Sequence, residues 1–360
     1  MRMAIVAYYH GNGGAEKQIT MLANAMARRG HEVYLIVLAE NNRKYDLDDS
    51  VKLYDCSRSG KRIVLPILCR YKDLLSSYRT IKPDITIHYN LQSAYLTAAM
   101  PRRLFNTAVY SERGDPYDKE YNGLLGFIRS FTFIRLDGLV FQSEGARDCF
   151  NRSVKEKSIV IHNSVDSLAA SIPVSSCRDN RIVSVGRFHE QKNHALLINA
   201  FNLISDSFPE IVLDIYGEGT LKEKLQSQIN ELGLTQRIHL LSPRKDILYA
   251  IRDARLFVLS SDYEGMPNAL MEAMALGIPC VSTDCRPGGA RTLIKDGING
   301  FVVPRKDPIA LADKMQQVLS DANVAAAISK GGREIVQTHT ERKTFDKWES
   351  FLSQVCARAK

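Results

Sequence analysis

The stretch Tyr263-Glu264-Gly265-Met266-Pro267-Asn268-Ala269-Leu270-Met271-Glu272 places two glutamates eight positions apart. Pro267 lies between them and suits the first turn of a helix, because its ring fixes φ and it has no N–H. The apolar residues that follow recur at helical spacing. The pattern therefore predicts Glu264 in a loop and Glu272 about two turns along a helix. Two such carboxylates can hold the two ends of a polyhydroxylated ligand. An anion between them can face the N–H groups at the helix start, namely those of Met266, Asn268 and Ala269.

Strands and helices alternate along the rest of the chain. Residues 3–8 and 33–38 are near-continuous apolar runs, which are typical of parallel strands covered on both faces. Between 167 and 177 the periodicity is lost, which indicates a linker, and a last helix is predicted around 344–357. The pattern predicts two doubly wound α/β domains. The other predicted strands are 85–89, 108–111, 138–142, 159–162, 182–185, 212–216, 239–241, 256–259 and 280–283.

Composition agrees with a two-domain globular protein. The chain has 360 residues, of which 45% are hydrophobic and 24% charged. No run approaches the ~20 apolar residues of a membrane-spanning helix, and no signal peptide is predicted before the first strand. The seven cysteines are scattered, with no His or Cys cluster of metal-ligand spacing. We therefore expect reduced thiols in a cytoplasmic protein.

The net charge of +8 is concentrated in residues 58–82, which have seven basic residues and one acidic residue, Asp73. Apolar residues recur there at helical spacing, so the segment is predicted to be an amphipathic basic helix that binds an anionic membrane surface. The alternative is that the apolar residues pack on the domain's own sheet and only the basic face meets solvent. The membrane-binding and packing interpretations are compatible, because the basic face can attract anionic lipid while the apolar face packs on the sheet. Nucleic acid is a poor third partner, since no recognisable binding module is present.

Further short motifs stand in order around the paired glutamates, and the ordered set is more specific than any one of them. The whole resembles the family-four retaining glycosyltransferases, with their E-x7-E motif and GT-B fold. The resemblance implies two Rossmann-like domains facing across a cleft, an acceptor-side domain of residues 1–171 plus 343–360 and a donor domain of 172–342. The motifs are Gly13-Gly14-Ala15-Glu16, Asn163-Ser164-Val165-Asp166, Val185-Gly186-Arg187, Gln191-Lys192-Asn193, Tyr216-Gly217-Glu218-Gly219, Gly277-Ile278-Pro279, Pro287-Gly288-Gly289 and Asp296-Gly297-Ile298-Asn299-Gly300.

The resemblance also implies roles for particular residues. Arg187 and Lys192 would hold the donor diphosphate in place of a metal ion, although taken alone they are two basic residues on a solvated loop. Glu264 would face the donor sugar, and Glu272 would accept hydrogen bonds from the ribose hydroxyls. Gly13 and Gly14 would let the first domain's backbone approach the diphosphate or the acceptor. The other implied donor-site residues are Gly186, Gly265, Met266, Pro267, Asn268 and Ala269.

Three positions depart from the family pattern or imitate another one. Arg113 stands where relatives often have a histidine facing the acceptor, so it either serves an anionic acceptor or pairs with Glu112 or Asp115. Asp46-Leu47-Asp48 looks like the D-x-D metal motif of another transferase fold, but it lies in a polar loop. His239 and Ser242-Pro243 replace the usual Phe-Leu-Gly beside the base, which leaves base specificity open.

The resemblance therefore implies a metal-independent retaining glycosyltransferase without a cofactor, which we expect on the inner face of the cell membrane. Its donor is a hexose or N-acetylhexosamine linked to a nucleotide, with UDP favoured. Its acceptor is a glycan, expected on polyprenyl diphosphate, in the synthesis of bacterial capsule, exopolysaccharide or lipopolysaccharide O-antigen. One alternative is a UDP-sugar 2-epimerase, for which the first domain lacks a convincing acid/base set. The other is a non-catalytic carbohydrate-binding relative, which the intact Arg187, Lys192, Glu264 and Glu272 argue against.

Overall fold

The computed structural model describes residues 1–10, 13–41, 45–56, 66–117 and 123–359. The chain divides into two compact units, Met1–Asn163 with Arg342–Lys360, and Ser164–Glu341. The second unit thus begins at Ser164, whereas the sequence placed the boundary at 171/172. The reason is that Val165 and Ala169 are buried in the core of the second unit, so the predicted linker begins as packed structure.

Each unit contains one parallel sheet. The strands of the first unit are β1 (Arg2–His10), β2 (Glu32–Asn41), β3 (Lys52–Asp55), β4 (Ile85–His88), β5 (Thr107–Ser111), β6 (Gly138–Phe141) and β7 (Ser158–Val160). The strands of the second are β8 (Arg181–Val185), β9 (Val212–Tyr216), β10 (Ile238–Leu241), β11 (Leu256–Leu259), β12 (Cys280–Thr283) and β13 (Phe301–Val303).

The strand order of each sheet reverses direction once. It is β3-β2-β1-β4-β5-β6-β7 in the first unit and β10-β9-β8-β11-β12-β13 in the second. The first sheet reverses between β1 and β4, where Ile5 lies between Leu35 and Ile87 in the parallel ladder. The second reverses between β8 and β11. Ligands of doubly wound sheets bind beyond the carboxyl ends of the strands at such a switch point.

Helices cover both faces of each sheet. They are α1 (Gly14–Arg28), α2 (Pro66–Ile81), α3 (Leu91–Ala98), α4 (Leu124–Arg135), α5 (Glu144–Asp148), α6 (Arg152–Glu156), α7 (Ser167–Ser171), α8 (His194–Ile204), α9 (Lys222–Glu231), α10 (Ile247–Ile251), α11 (Asn268–Ala275), α12 (Gly289–Leu293), α13 (Pro308–Ser320), α14 (Ala322–Arg333), α15 (Ile335–Thr338) and α16 (Glu341–Ala359). On the first sheet, α1 and α16 pack on one face and α2, α3 and α4 on the other. On the second, α8, α9 and α13 cover one face and α7, α10 and α11 the other.

The predicted fold class, two doubly wound α/β domains, is confirmed. Two strands were not predicted, β3 and β13, and both are short edge strands. The residues of β3 are mostly exposed, so they lack the continuous apolar pattern of the central strands. The three residues of β13 are too few to show a period.

The last helix belongs to the first unit. Trp348 on α16 is buried and stacks on Tyr89, with ring centroids 6.2 Å apart. Gly138 at the start of β6 allows this close packing, because a Cβ there would lie 2.9 Å from Cζ of Phe351. Arg29 at the end of α1 adds an ion pair to Glu349, with Nη1 2.7 Å from Oε2.

The basic segment predicted as a membrane helix is only partly within the described residues. Positions 57–65, including Lys61 and Arg62, lie outside them. In α2, Leu74, Tyr78 and Ile81 are buried in the core of the first unit, as the alternative interpretation expects. Arg70 is half-buried, with its guanidinium 4.7 Å from the ring centroid of Tyr8. The later part of the α2 stripe is therefore already used within the fold, whereas Ile67 and Leu68 at its start are 58% and 51% exposed. No helix in the described part of the chain is both long and apolar enough to span a bilayer.

Candidate active site

Two loops meet at the switch point of the second sheet. One follows β8 and carries Lys192, and the other follows β11 and carries Glu264. The two side chains form an ion pair between Nζ of Lys192 and Oε1 of Glu264, and only 15% and 11% of their respective side-chain surfaces are exposed. The structure thus brings together two residues that the sequence assigned to the donor. The opposite charges also compensate each other where solvent screening is weak.

Ser261 holds the carboxylate of Glu264 from the buried side. Its Oγ donates to Oε1 of Glu264 over 2.8 Å, and Ser261 is fully buried. Its own carbonyl accepts a hydrogen bond from Oγ1 of Thr283 on β12. Sequence reasoning missed Ser261, and the only signal was a pair of serines after an apolar strand, the second of them three positions before the first glutamate.

Three hydrogen bonds to backbone carbonyls join the two loops. The N–H of Asp262 donates to the carbonyl of Gln191 over 2.8 Å. The side-chain Nε2 of Gln191 donates to the carbonyl of Tyr263 over 2.9 Å. Oγ of Ser260 donates to the carbonyl of Lys192 over 2.8 Å. The separation of Lys192 and Glu264 is therefore fixed by the main chain as well as by their charges.

Arg187 lies on the same loop as Lys192 but is exposed. Its Nη2 donates to Oε1 of Gln191 over 3.3 Å. The loop therefore offers one nearly buried cation and one exposed cation. A planar guanidinium can bind two phosphate oxygens at once, whereas an ammonium acts as a point charge.

The glycines of the second-unit motifs allow the loops to touch. A Cβ on Gly217 would lie 2.0 Å from the carbonyl oxygen of Gly186, so the loops after β9 and β8 approach backbone to backbone. A Cβ on Gly289 would lie 2.5 Å from the carbonyl oxygen of Gly265. The N–H of Glu264 also donates to the carbonyl of Arg286 over 2.7 Å, so the segment before α12 is bound to the loop that carries Glu264.

The second glutamate lies on α11, as predicted. This helix begins at Asn268, and Pro267 is its N-cap with φ −76°, one position earlier than predicted. Gly265, Met266 and Pro267 are buried, while Asn268, Ala269 and Glu272 are half-buried. The first N–H groups of a helix have no acceptor within it, and they favour an anion. The start of α11, four residues after Glu264, therefore favours an anion beside that glutamate loop.

His194 at the start of α8 supports the loop that carries Lys192. Its Nε2 lies 3.2 Å from the carbonyl oxygen of Gly186, and its ring meets Phe188 edge-on at 5.7 Å. Burial lowers the pKa of His194 to about 4. The ring is therefore neutral at neutral pH, with Nε2–H donating to Gly186.

We expect this histidine to make the second unit sensitive to acid. The pKa of His194 is lower in the folded state than the usual ~6.5 of an unfolded chain. Its neutral ring therefore contributes fully to the free energy of unfolding above pH 6.5, and this contribution is lost as pH falls towards 4. The loss should reach about 2 kcal/mol near pH 5. We predict that the urea midpoint falls between about pH 7.5 and about pH 5, and falls less in His194→Gln. His88, whose pKa burial lowers to about 3, is present in both proteins, so its own contribution to acid sensitivity is the same in each. Equal falls in the two proteins would contradict the assignment.

His239 binds a carboxylate on the neighbouring strand. Its Nδ1 lies 2.8 Å from Oδ1 of Asp214, and the two residues are register partners in β10 and β9. Asp214 is buried and also faces Arg181, with Nη1 3.4 Å away. The ring of His239 is therefore oriented by Asp214, which Arg181 also contacts.

In the first unit, the glycine pair lies at the start of α1. Gly13 is the N-cap, with no side chain capping the helix, and a Cβ on it would lie 2.3 Å from Oε2 of Glu16. A carboxylate of the chain thus lies over the backbone that the sequence assigned to a diphosphate or an acceptor. An anion binding here would meet like charge unless Glu16 moves.

Arg113 follows β5 and has partners of its own. Its Nη1 donates to Oδ1 of Asn163 over 2.6 Å, and its guanidinium lies 4.5 Å from the ring centroid of Tyr89. Its backbone N–H donates to Oε1 of Glu112 over 3.0 Å. Burial raises the pKa of Glu112. The side chain of Arg113 is therefore oriented by Asn163 and Tyr89, while Glu112 binds its main chain.

The D-x-D sequence is engaged in local contacts. Oδ2 of Asp48 lies 2.9 Å from Nε of Arg28, and Ser50 and Arg28 lower the pKa of Asp48 to about 2. The carbonyl of Asp46 accepts a hydrogen bond from Asn24. Among the residues that the structure describes, no three His, Cys, Asp or Glu side chains are grouped so as to hold a metal ion.

Two family models together match most of the sequence. Residues 12–167 match "Glycosyltransferase Family 4", and residues 167–335 match "Glycosyl transferases group 1". The chain belongs to the GT-B glycosyltransferases.

Two curated relatives of this glycosyltransferase are named as transferases for undecaprenol-linked sugars. An α-1,4-N-acetyl-D-galactosaminyltransferase from Campylobacter jejuni, named for a diNAcBac-PP-undecaprenol acceptor, is 23% identical over 99% of both chains. A second transferase of that organism, named for N-acetylgalactosamine-N,N'-diacetylbacillosaminyl-diphospho-undecaprenol, is 26% identical over 96% of both. The crystal structure of Anabaena HepE with UDP and glucose has a TM-score of 0.84, 19% identity, and coverage of 98% of this chain and 99% of HepE.

Proposed function

We propose that this glycosyltransferase is a retaining enzyme that moves a hexose or N-acetylhexosamine from a UDP sugar to a glycan carried on polyprenyl diphosphate. It would act at the cytoplasmic face of the membrane, in the synthesis of a bacterial surface polysaccharide. The observation that carries the proposal is the Lys192–Glu264 ion pair at the switch point between β8 and β11. The Campylobacter relatives, named for undecaprenyl diphosphate acceptors, support the acceptor class.

The donor diphosphate would take over the cations of the β8 loop. As the bond between the sugar's anomeric carbon and the diphosphate breaks, negative charge builds on the leaving oxygens. Lys192 and Arg187 would stabilise that charge, and preorganised charges of this kind act most strongly where water is excluded. They would do so without a metal ion.

The diphosphate and Glu264 compete for the same ammonium group. When Lys192 binds phosphate oxygens, Glu264 is free to accept hydrogen bonds from sugar hydroxyls. Ser261 donates to Oε1 and keeps the carboxylate in place during that exchange. Glu272, on the wall of α11, would accept hydrogen bonds from the ribose, which suits an ionised carboxylate.

Retention follows if the acceptor hydroxyl attacks from the side that the diphosphate leaves. The acceptor oxygen forms the new bond to the anomeric carbon, and its proton passes to an oxygen of the departing diphosphate. This path needs no separate protein base, which agrees with the absence of one from the proposed set of residues.

The test is nucleotide release from a panel of nucleotide sugars, with and without a lipid-linked glycan acceptor. We expect UDP release that rises with acceptor, formation of an α-linked product from an α-linked donor, and unchanged rates in EDTA. A 2-epimerase would interconvert the UDP sugars without releasing UDP, and a binding protein would do neither. Loss of activity in EDTA that Mn²⁺ restores would contradict the metal-free clamp.

A further inference from the structure

One helix of the first unit has an apolar face on the outside of the protein. On α4, Leu124, Phe127, Phe131 and Ile134 are 74%, 71%, 48% and 74% exposed. They follow one another at intervals of three or four residues, so they form a single stripe along the helix. We call these four residues the α4 stripe. Isolated exposed apolar residues are ordinary on soluble proteins, but a continuous stripe marks an interaction surface.

The opposite side of α4 supplies the packing that the fold needs. Phe133 and Thr132 are buried there, and Phe133 lies 5.5 Å from the ring of Tyr110, centroid to centroid. The helix is therefore attached to the sheet by its other face. Leu124, Phe127 and Ile134 keep most of their surface outside that attachment.

The end of α4 is surrounded by positive charge. The ammonium group of Lys157 donates to the carbonyl oxygens of Phe133 and Leu136, over 2.5 Å and 2.8 Å. These carbonyls end the helix, where a cation is favourable. Lys157 is thereby anchored at the C-terminal end of α4.

Arginines continue the basic region. The guanidinium of Arg135 lies 5.8 Å from the ring centroid of Phe131, and Arg102 donates to the carbonyl of Arg135 over 3.2 Å. Arg103, beside Arg102, is exposed. The carboxylate of Asp137 is paired with Arg102, and α4 itself contains no acidic residue. Among the residues that the structure describes, the surroundings of the C-terminal end of the stripe are therefore mainly basic.

We propose that the α4 stripe docks on the surface of an anionic phospholipid bilayer. The four apolar side chains enter the boundary between headgroups and acyl chains, while the basic residues face lipid phosphates. Helices that lie in the membrane interface have the same arrangement, with an apolar face buried below the headgroups and basic residues at the level of the phosphates. The inference rests on the proposed function in one respect, since a lipid-linked acceptor requires the enzyme to reach a membrane.

The chemistry of the stripe favours lipid over a protein partner. A protein interface combines apolar area with directional hydrogen bonds. Ser130 is an uncharged polar residue beside the stripe, and its hydroxyl already donates to the carbonyl of Gly126 over 2.9 Å. A surface that offers apolar side chains and positive charge, but few directional groups, fits a fluid anionic membrane.

The position of α4 suits an acceptor that arrives from the membrane. The helix follows β5 and therefore begins at the carboxyl edge of the first sheet, where Arg113 also lies. Nη1 of Arg129 donates to the carbonyl of Pro116 over 3.0 Å, which joins α4 to the segment after Arg113. Docking of the stripe would bring lipid to the same edge as the predicted acceptor residue.

The experiment compares vesicle binding by wild type with that of Phe127→Ser/Ile134→Ser. Both side chains are mostly exposed, so the substitutions should leave the fold intact. The matched control is Leu203→Ser/Ile309→Ser, which changes two exposed apolar residues on helices of the second unit. Sedimentation uses phosphatidylcholine vesicles with and without phosphatidylglycerol. In parallel, transfer to a short water-soluble acceptor and the mass of the protein in solution are measured.

We expect wild type and control to bind the phosphatidylglycerol vesicles, and the α4 variant to bind at least ~10-fold more weakly. Added salt should weaken wild-type binding without abolishing it, because only the ionic part is screened. Transfer to the soluble acceptor should be equal in all three proteins. Equal vesicle binding by all three, or no binding by wild type, would overturn the proposal. A wild-type dimer that the α4 variant alone converts to monomer, with vesicle binding unchanged, would assign the stripe to a second copy.

Docking and catalysis can fail separately in this design. Vesicle binding that depends on the α4 stripe, in a protein that releases no UDP from any donor, would leave the docking surface standing and refute the proposed function. UDP release and sugar transfer without vesicle binding would support the proposed function and refute the docking surface.

Discussion

Lys192→Met is expected to lower kcat by ~10³-fold, the largest effect of any single substitution in the site. The ammonium group is nearly buried, so its field on a departing diphosphate is screened less than that of the exposed Arg187. Arg187→Ala should accordingly cost ~10²-fold. Steady-state rates of UDP release measure both, with Lys224→Met, on the exposed surface of α9, as the matched control. A rate for Lys192→Met within tenfold of wild type would refute the proposed clamp.

The same substitution also affects stability, and a second variant separates the two effects. Removing the ammonium leaves the carboxylate of Glu264 buried beside Ser261 alone, which should cost roughly 3 kcal/mol of unfolding free energy. In the double variant Lys192→Met/Glu264→Gln neither charge remains, so most of that stability should return. Turnover should not return. Recovery of turnover with stability would mean that the single variant was merely misfolded.

The sequence was sufficient for the sheets because their central strands are covered on both faces. Such strands are near-continuous apolar runs, as in β1 and β2, and helices at regular intervals imply parallel order. The edge strands β3 and β13 lack such an apolar run, because β3 is mostly exposed and β13 has only three residues. Short edge strands are defined by the neighbour with which they pair, and a single sequence does not show that neighbour.

The site was predicted in part for the same reason. Lys192 and Glu264 could be placed at strand ends, and strand ends at a switch point converge. Their ion pair and the support from Ser261 depend on the relative positions of three loops. The two glycines that permit the closest approaches, Gly217 and Gly289, were visible in the sequence as motifs, but which carbonyl each one meets was not.

The helices of the first unit show the limit of periodicity most clearly. In α2 the pattern predicts an apolar stripe, and the structure buries it at Leu74 and Tyr78. In α4 nearly every face is apolar, a composition typical of a buried helix, yet Phe127 and Ile134 are exposed. Periodicity reveals which residues share a face. It does not reveal whether the protein itself covers that face.

The two glutamates should respond in opposite directions when their charge is removed. Glu264→Gln removes the anion that neutralises Lys192, so UDP should bind about tenfold more tightly while kcat falls ~10²-fold. Glu272→Gln removes an acceptor for the ribose hydroxyls, so UDP should bind about tenfold more weakly, with a much smaller change in kcat. Calorimetric titration with UDP measures the first quantity and single-turnover transfer the second.

The opposite signs make this the sharper test of the arrangement, because general damage to the site would weaken UDP binding in both variants. If Glu264→Gln binds UDP more weakly than wild type, the carboxylate does not compete with the diphosphate for Lys192. If instead Glu272→Gln binds more tightly, that residue repels the nucleotide and cannot hold its ribose. Opposite shifts with the predicted signs would require that one glutamate faces the diphosphate through Lys192, while the other binds the nucleoside. The ion pair at the switch point would then be the contact that the donor replaces on binding.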